Sequence, residues 1–179
     1  PGQKKDIILF NPKKGKLRTK KLIQANDSLK FIPIENMSPR EVSDLLEPAK
    51  VYMDFGNHPG KDRLPREAAL AGCCVITGIH GSAENCYDYP IPDNYKLNDR
   101  NNEYIKKFQS LVQDIFDDYE KHQANFSCFK EEIQKEKPHV TLITNQELIA
   151  IQVVWNRDLI FDKNVKLSFS FNSLAISMF

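Results

Sequence analysis

The sequence predicts an α/β fold in which a parallel β-sheet carries helices on both faces. Short apolar, β-prone runs alternate with stretches of helical periodicity from residue 6 to about residue 119. Loops that contain glycine or proline separate the two kinds of segment. Residues 73–77, CCVIT, form a continuous run of small and β-branched residues, as a strand covered on both faces should. This alternation of strands and helices is typical of parallel sheets built from crossover units.

The first strand, helix and second strand are expected close to the amino terminus. Residues 6–10, DIILF, form an apolar strand, and residues 11–15, NPKKG, form the turn that follows it. Residues 16–25 have a spacing compatible with a helix that carries one apolar face. Residues 29–34, LKFIPI, form the next strand, although Pro33 weakens its end.

A second helix and a third strand come next. Ser38, Pro39 and Glu41 have the spacing of a capping box with proline at the first helical position. The helix face expected to pack on the sheet is apolar: Val42, Leu45 and Leu46. Residues 51–55 then form a short apolar strand, which the glycines and prolines that follow it bring to an end.

The segment after this strand is expected to contain a polar loop, a short helix and a buried strand. Pro65 is tolerated in a first helical turn, Glu67 is expected in that same turn, and Gly72 ends the helix. In open α/β sheets, ligands bind beyond the carboxyl ends of the strands. That rule places the polar side chains of this segment at the ligand edge: Asn57, His58, Lys61, Arg63, Arg66 and Glu67.

The remainder of the chain divides into a helical part and a tail. Residues 79–97 are loop-rich, and residues 101–137 give the strongest helical periodicity, with a break expected near residues 125–127. In the tail, residues 145–154 are expected to form a short helix and residues 165–171 an amphipathic strand. We therefore predict one α/β domain over residues 1–137 and an appendage over residues 138–179.

Composition and charge limit the class of protein. The net charge of +1 is uninformative, but the first 30 residues hold nine Lys or Arg against two Asp, a local excess of seven positive charges. Such a cluster suits phosphate groups or nucleic acid, and a solvated helix face explains it equally well. No signal peptide or apolar run of about 20 residues is present, so a cytoplasmic protein without a membrane span is expected.

The cysteines lack the spacing of a metal or redox site. Cys73 and Cys74 are adjacent in an expected strand, where free cysteine is commonly a small buried hydrophobe. Cys86 and Cys128 have no partner at ligand spacing, so neither a metal nor a cofactor is expected. Familiar phosphate motifs are also missing: the Gly15-Lys16 pair lacks the rest of a P-loop, and no G-x-G-x-x-G follows the first strand.

Read together, several segments resemble the carboxyl-terminal, nucleotide-sugar-binding half of glycosyltransferases with the GT-B architecture. They are DIILFNPKKG, LKFIPIENMSPREVSDLLEPAKVYMDFG, PREAALAGCCVITG, and GSAEN followed by IPDNY and a terminal helix, and they extend from about residue 6 to residue 119. The resemblance implies a single Rossmann-like half-domain of a hexosyltransferase-like enzyme. This half-domain would bind the sugar donor, a nucleotide diphosphate sugar. It also implies an acceptor domain, missing at the amino-terminal side or supplied by a partner chain, so the chain alone should be inactive.

The resemblance assigns expected roles to particular residues. Lys14-Gly15 match a Lys-Gly pair that meets the donor diphosphate, and Glu67 matches a carboxylate that holds the donor ribose. His58, Lys61 and Arg63 lie in the adjoining loop and complete the expected donor site. A glycine-rich turn with a downstream glutamate supplies the remaining candidates: Gly81, Ser82 and Glu84.

One departure from the family pattern leaves a second function open. Many members that retain the sugar's configuration carry a second glutamate eight positions before the ribose glutamate, and here Pro59 occupies that position. The loop of residues 57–63 is basic where an acidic turn is usual. The alternative is a non-catalytic module that keeps the fold and binds a polyanion or a protein. The chain begins with Pro-Gly rather than Met, which fits a piece of a longer protein, and nucleic acid is not an expected partner.

Overall fold

A computed structural model describes residues 3–136 and three strands at residues 139–145, 148–155 and 158–159. Contacts divide the chain into two units, Pro1–Gln134 and Lys135–Phe179. The first unit contains a five-stranded parallel sheet with the order β2-β1-β3-β4-β5. Its strands are β1 (Lys5–Phe10), β2 (Phe31–Pro33), β3 (Ala49–Asp54), β4 (Cys74–Gly78) and β5 (Lys96–Leu97). The parallel sheet confirms the α/β, Rossmann-like fold class that the sequence predicts.

Six helices accompany this sheet. They are α1 (Lys16–Ala25), α2 (Pro39–Leu46), α3 (Arg63–Leu70), α4 (Glu103–Asp117), α5 (Tyr119–Ala124) and α6 (Ser127–Lys135). Helix α1 contacts α4, and α2 contacts α3. Because the crossovers from β1 to β2 and from β2 to β3 run in opposite directions along the sheet, right-handed connections put α1 and α2 on opposite faces.

Local sequence signals explain where two of these helices begin. Ser38 accepts a hydrogen bond from the Glu41 backbone N–H at 3.4 Å, and the Glu41 carboxylate accepts one from the Ser38 backbone N–H at 2.7 Å. This capping box confirms the start predicted for α2. Hydrogen bonds from Ser38 hold the pKa of the Glu41 carboxyl below its ordinary value. Helix α1 also begins at Lys16, as its periodicity predicts.

In the first unit one expectation was wrong, the break near residues 125–127 is confirmed, and two further features were not predicted. Glu67 is the fifth residue of α3, beyond the first turn, because the helix begins at Arg63. The helical region after residue 101 breaks at Asp118 as well as near residue 125, since Asp118 has non-helical backbone angles of φ −135° and ψ 61°. The expected loop before residue 97 contains the two-residue strand β5.

The core of the first unit lies on both sides of β1, β3 and β4. Strand β3 is almost entirely buried, and aromatic rings from α4, such as Phe108, pack against Phe55 with a centroid distance of 6.2 Å. Cys73 and Cys74 are buried as expected, and burial raises the pKa of their thiols to about 11 and about 12. Both thiols therefore remain protonated at neutral pH and act as small apolar groups.

The second unit contains three antiparallel strands in the order β6-β7-β8. They are β6 (His139–Asn145), β7 (Leu148–Trp155) and β8 (Asp158–Leu159). The helix expected over residues 145–154 was therefore wrong: the sequence LIAIQVVW is rich in β-branched residues, which favour a strand. The strand predicted over residues 165–171 lies outside the described residues.

Candidate functional site

The carboxyl ends of the parallel strands bring three loops together. The chain leaves β1 towards β2 and returns to β3 on the other side, so the switch point of the sheet lies between β1 and β3. At this point Gly15 adopts φ +56°, and a Cβ placed there would lie 2.5 Å from the carbonyl carbon and oxygen of Phe55. Only glycine allows the β1 loop to approach the β3 loop so closely. This contact fixes where α1 begins.

The loops after β3 and β4 meet in a similar way. The His58 backbone N–H donates to the His80 carbonyl at 3.3 Å, and the Ser82 N–H donates to the His58 carbonyl at 2.8 Å. Gly81 lies between them with φ +64°, and a Cβ there would be 2.2 Å from the His58 carbonyl oxygen. The predicted residues Gly81 and Ser82 therefore lie directly beside His58.

His58 is fully buried among polar partners. Its Nδ1 lies 2.5 Å from Asp62 Oδ2 and 2.9 Å from the Tyr89 hydroxyl. Because a carboxylate can only accept, we assign the proton to Nδ1. Its Nε2 lies 3.7 Å from Asp54 Oδ1, beyond hydrogen-bond distance. His58 thus occupies a closed cluster with Asp54, Asp62 and Tyr89, which we call the inner cluster.

Two tyrosines next to these carboxylates stay neutral. Burial, followed by the nearby charge of Asp62, raises the pKa of Tyr89 well above its ordinary value. Burial also raises the pKa of Tyr52, whose hydroxyl donates to Asp54 Oδ2 at 3.3 Å. The other Asp54 oxygen accepts from the Gly56 N–H at 2.9 Å. These hydroxyls act as hydrogen-bonding groups at neutral pH rather than as bases.

Lys14 is brought to the same edge and is already paired. Its Nζ lies 2.5 Å from Asp62 Oδ2, the oxygen that also faces His58. The Lys14 side chain is only 28% exposed. Asp62 immediately precedes α3, where its side chain makes no capping hydrogen bond. A single carboxylate therefore joins a predicted donor-binding lysine to a buried histidine.

The remaining predicted residues are spread more widely. On α3, Arg63 Nε lies 3.6 Å from Glu67 Oε1, and both side chains are substantially exposed, at 65% and 39%. Glu67 lines an open groove between α2 and α3 together with Ser43 and Leu70. Lys61 is exposed in the β3 loop, and Glu84 is exposed at the end of a 3₁₀ turn that begins at Ser82.

The basic cluster of the first 30 residues is partly structural. Lys4 Nζ donates to the carbonyl oxygens of Ala49 at 2.9 Å and Ala71 at 2.7 Å. Burial lowers the pKa of Lys4. This lysine therefore joins β3 and α3 and is not offered to a ligand. Four exposed lysines of this region lie along the β1 loop and α1, namely Lys13, Lys16, Lys20 and Lys21, and two more, Lys5 and Lys30, are exposed elsewhere in it.

The structure adds a second charged cluster that the sequence did not predict, which we call the outer cluster. Asp99, just after β5, approaches His80 Nε2 at 2.6 Å through Oδ1 and Arg18 Nε at 2.5 Å through Oδ2. The Asp99 side chain has no exposed surface, whereas those of His80 and Arg18 are 23% and 42% exposed. The only sequence signals were a histidine in the glycine turn after a buried strand and an arginine within the basic stretch.

Two further observations concern metals and membranes. Within the part of the chain that the structure describes, no group of three His, Cys, Asp or Glu side chains is arranged to hold a metal ion. Among the same residues, no helix combines the length and the apolar character needed to cross a bilayer.

Comparison with known protein families finds no match, and comparison with curated proteins finds none either. Among solved structures, the chain is similar to the crystal structure of AviGT4, a glycosyltransferase involved in Avilamycin A biosynthesis, at 19% identity with a TM-score of 0.34. The match covers 46% of this chain and only 35% of that enzyme. A likeness at this level says nothing about what the present chain binds.

Proposed function

We propose that this chain is the nucleotide-sugar-binding half of a glycosyltransferase and takes the nucleoside diphosphate at the edge of β1 and β3. The observation that carries the proposal is the position of the α1 amino terminus, which Gly15 holds at the switch point of the sheet. The first turn of α1 contains no acidic residue, and Gly15 supplies no side-chain cap. The free backbone N–H groups of such a turn favour an anion such as a diphosphate.

The basic side chains around this turn support the same ligand class. Lys14 precedes the helix and can exchange its contact with Asp62 for one with a phosphate oxygen. A cation and oriented N–H groups would also stabilise the charge that develops on the diphosphate as it leaves the sugar. The diphosphate is therefore the part of the donor for which these groups provide the most favourable contacts.

Glu67 is the proposed ribose ligand. It lies in the second turn of α3, about 6 Å along the helix from the start at the 1.5 Å rise per residue of an α-helix. Its side chain is 39% exposed, and its carboxylate has a long contact of 3.6 Å with Arg63. A carboxylate can accept hydrogen bonds from both hydroxyls of a ribose, and its charge strengthens each of them. Transfer would also need an acceptor-binding domain in the same polypeptide or in a partner chain.

A thermal-shift panel tests the proposal. Nucleoside diphosphates of each common base and their sugar conjugates are added to the chain, and a ligand bound only by the folded state raises the melting temperature. We expect the nucleotides of one base to raise the melting temperature of the wild-type chain, and we expect Glu67→Gln to remove that shift. Glu131→Gln, which changes an exposed carboxylate on α6, is the matched control and should retain the shift. If no nucleotide shifts the folded wild-type chain, the proposal is wrong.

A second candidate is a non-catalytic module that binds a polyanion or an acidic protein. The observation favouring it is that Lys14 and Arg63, two of the predicted donor-binding cations, contact carboxylates of the same chain. The exposed lysines of the β1 loop and α1 would then bind the partner: Lys13, Lys16, Lys20 and Lys21. Heparin is a suitable probe, and under this alternative Glu67→Gln should leave heparin binding unchanged while Lys20→Gln with Lys21→Gln weakens it.

A further inference from the structure

We propose that Arg18 and His80, both held by the buried carboxylate of Asp99, form a phosphate clamp. This inference rests on the proposed function and names the residues that contact the diphosphate. Strand β4 ends at Gly78 and β5 ends at Leu97, so the outer cluster lies at the same edge of the sheet as the α1 amino terminus. The clamp is thus assembled from α1 and from the loops that follow β4 and β5.

Asp99 positions the other two residues. Its side chain is inaccessible to solvent, so a phosphate would meet the guanidinium and the imidazole and not the carboxylate. The imidazole is held by a hydrogen bond of 2.6 Å, whereas the approach of Arg18 Nε to Oδ2 at 2.5 Å is an ion pair without hydrogen-bond alignment. A Cβ at Gly78 would lie 3.3 Å from Asp99 Oδ2, so glycine leaves the room that this arrangement needs.

Arg18 keeps donors for a ligand. A guanidinium has five N–H donors in a planar fork that matches phosphate oxygens, and this one meets Asp99 through Nε while 42% of its side chain stays exposed. Arg18 is the third residue of α1, so its side chain lies beside the free N–H groups of the first turn. The Tyr104 hydroxyl donates to the Arg18 carbonyl at 3.3 Å and helps to fix this part of the helix.

His80 is oriented from two sides. Asp99 holds its Nε2, and its backbone carbonyl accepts a hydrogen bond from the His58 N–H at 3.3 Å. A ring fixed through Nε2 presents Nδ1 in a defined direction, and in the protonated ring Nδ1–H donates to a phosphate oxygen. Lys14 differs from both residues of the clamp, because its partner carboxylate, Asp62, is 20% exposed and would face a phosphate bound beside the ammonium, whereas Asp99 has no exposed surface.

Calorimetry with inorganic pyrophosphate tests the clamp without requiring knowledge of the base or the sugar. We expect the wild-type chain to bind pyrophosphate. The substitutions Arg18→Gln and His80→Gln should each lower the pyrophosphate affinity at least tenfold. Arg18→Lys should recover part of the loss, because it restores the charge but not the fork. Lys30→Gln removes one exposed charge from the same basic region, before β2, and should change the affinity less than twofold.

Magnetic resonance supplies a readout that a purely structural role would not change. Pyrophosphate should shift the ring signals of His80 and leave those of the fully buried His58 in place. Asp99→Asn should remove the His80 shift in a chain that still melts cooperatively. If that variant fails to fold, the two glutamine variants decide the question alone.

The outcomes separate this inference from the proposed function. Equal pyrophosphate affinity in the wild type, Arg18→Gln and His80→Gln would overturn the clamp, and so would the absence of any pyrophosphate binding. If nucleoside diphosphates nevertheless bind and Glu67→Gln abolishes that binding, the donor-binding function stands and the phosphates lie elsewhere. If the folded wild-type chain binds neither pyrophosphate nor any nucleotide, both proposals are wrong.

Discussion

The inner and outer clusters contain the same chemical pair, a histidine beside an aspartate, at the same edge of the sheet. In the inner cluster His58 is completely buried, with Asp62 2.5 Å from one ring nitrogen and Asp54 3.7 Å from the other. In the outer cluster the buried group is the carboxylate of Asp99, and 23% of the His80 side chain is exposed. Burial of the imidazole makes the first cluster a structural connection. Burial of the carboxylate leaves the second with a guanidinium and an imidazole that face solvent.

The difference shows that a polar motif at a ligand edge does not identify a binding site until exposure is known. The β3 loop attracted attention because it is polar, yet its histidine joins that loop to α3 and to the β4 loop. The histidine that can face a ligand is His80, in the loop after β4. Substitutions in the inner cluster should therefore change stability, and substitutions in the outer cluster should change ligand binding.

The largest effect is expected from Gly81→Ala, since Gly81 connects the two histidines. Its φ of +64° is rarely adopted by other residues, and the added Cβ would lie 2.2 Å from the His58 carbonyl oxygen. Strain of about 1–3 kcal/mol together with the backbone clash should lower the free energy of unfolding by about 3 kcal/mol or more. Urea denaturation measures this. Gly60→Ala, with no atom within 4 Å of the added Cβ, is the control and should unfold almost like the wild type.

His58→Gln should come next in size. The substitution removes the ring that contacts Asp62 and Tyr89 in a fully buried position. Leaving buried polar groups without their partner should cost about 2 kcal/mol in the free energy of unfolding. Urea denaturation monitored by circular dichroism gives the value. A loss below about 0.5 kcal/mol, within the range of ordinary surface substitutions, would show that the inner cluster is not a structural connection.

His80→Gln provides the matched comparison, because the same substitution is made in the other cluster. The His80 side chain is partly exposed, the glutamine amide can still donate to Asp99, and Arg18 remains its ion-pair partner, so the free energy of unfolding should fall by no more than about 1 kcal/mol, half the loss expected for His58→Gln. Pyrophosphate affinity should nevertheless fall at least tenfold. Equal destabilisation by the two glutamine substitutions, measured in the same urea series, would contradict the distinction between the clusters.

Most of the fold could be predicted because its signals are local. The capping box at Ser38 and the periodicity of α1 depend on residues within one or two turns. Strand β5 has only two residues, too few for any periodicity to appear. The break at Asp118 was missed because the apolar stripe continues through it from Ile115 to Tyr119. Tertiary packing, and not the local pattern, determines such positions.

The site was harder to predict than the fold, because its contacts join residues distant in the chain. The Lys14–Asp62 contact spans 48 positions, and the contacts of Asp99 with Arg18 and His80 depend on which strands are neighbours. The sequence indicated that Lys14, Gly15, His58, Gly81 and Ser82 would lie at one edge, and the structure brings these together. The sequence could not indicate that the Asp62 carboxylate would pair with the Lys14 ammonium, because the pairing of residues in different loops depends on the topology of the sheet.

The smallest effect on affinity, and the sharpest test of how the inner cluster relates to binding, is expected from Asp62→Asn. Asparagine keeps an oxygen that can accept from His58 Nδ1, and the Lys14–Asp62 pair is partly exposed, so the free energy of unfolding should fall by no more than about 1 kcal/mol. Removing the charge beside the Lys14 ammonium should strengthen nucleoside diphosphate binding severalfold, because a phosphate would no longer compete with a carboxylate for that ammonium. Calorimetry on Asp62→Asn and on the double variant with Lys14→Gln measures this effect, which the second substitution should abolish.

Asp6→Asn is the control for this test, because it breaks a comparable pair, Lys50 Nζ to Asp6 Oδ1 at 2.7 Å, near the amino end of the sheet. It removes one negative charge without touching the ligand edge, so any gain it gives measures the effect of net charge alone. A gain for Asp62→Asn no larger than that of Asp6→Asn would mean that Lys14 does not contact the phosphates. The inner cluster would then be structural throughout, and the cations available to a diphosphate would be those of the outer cluster.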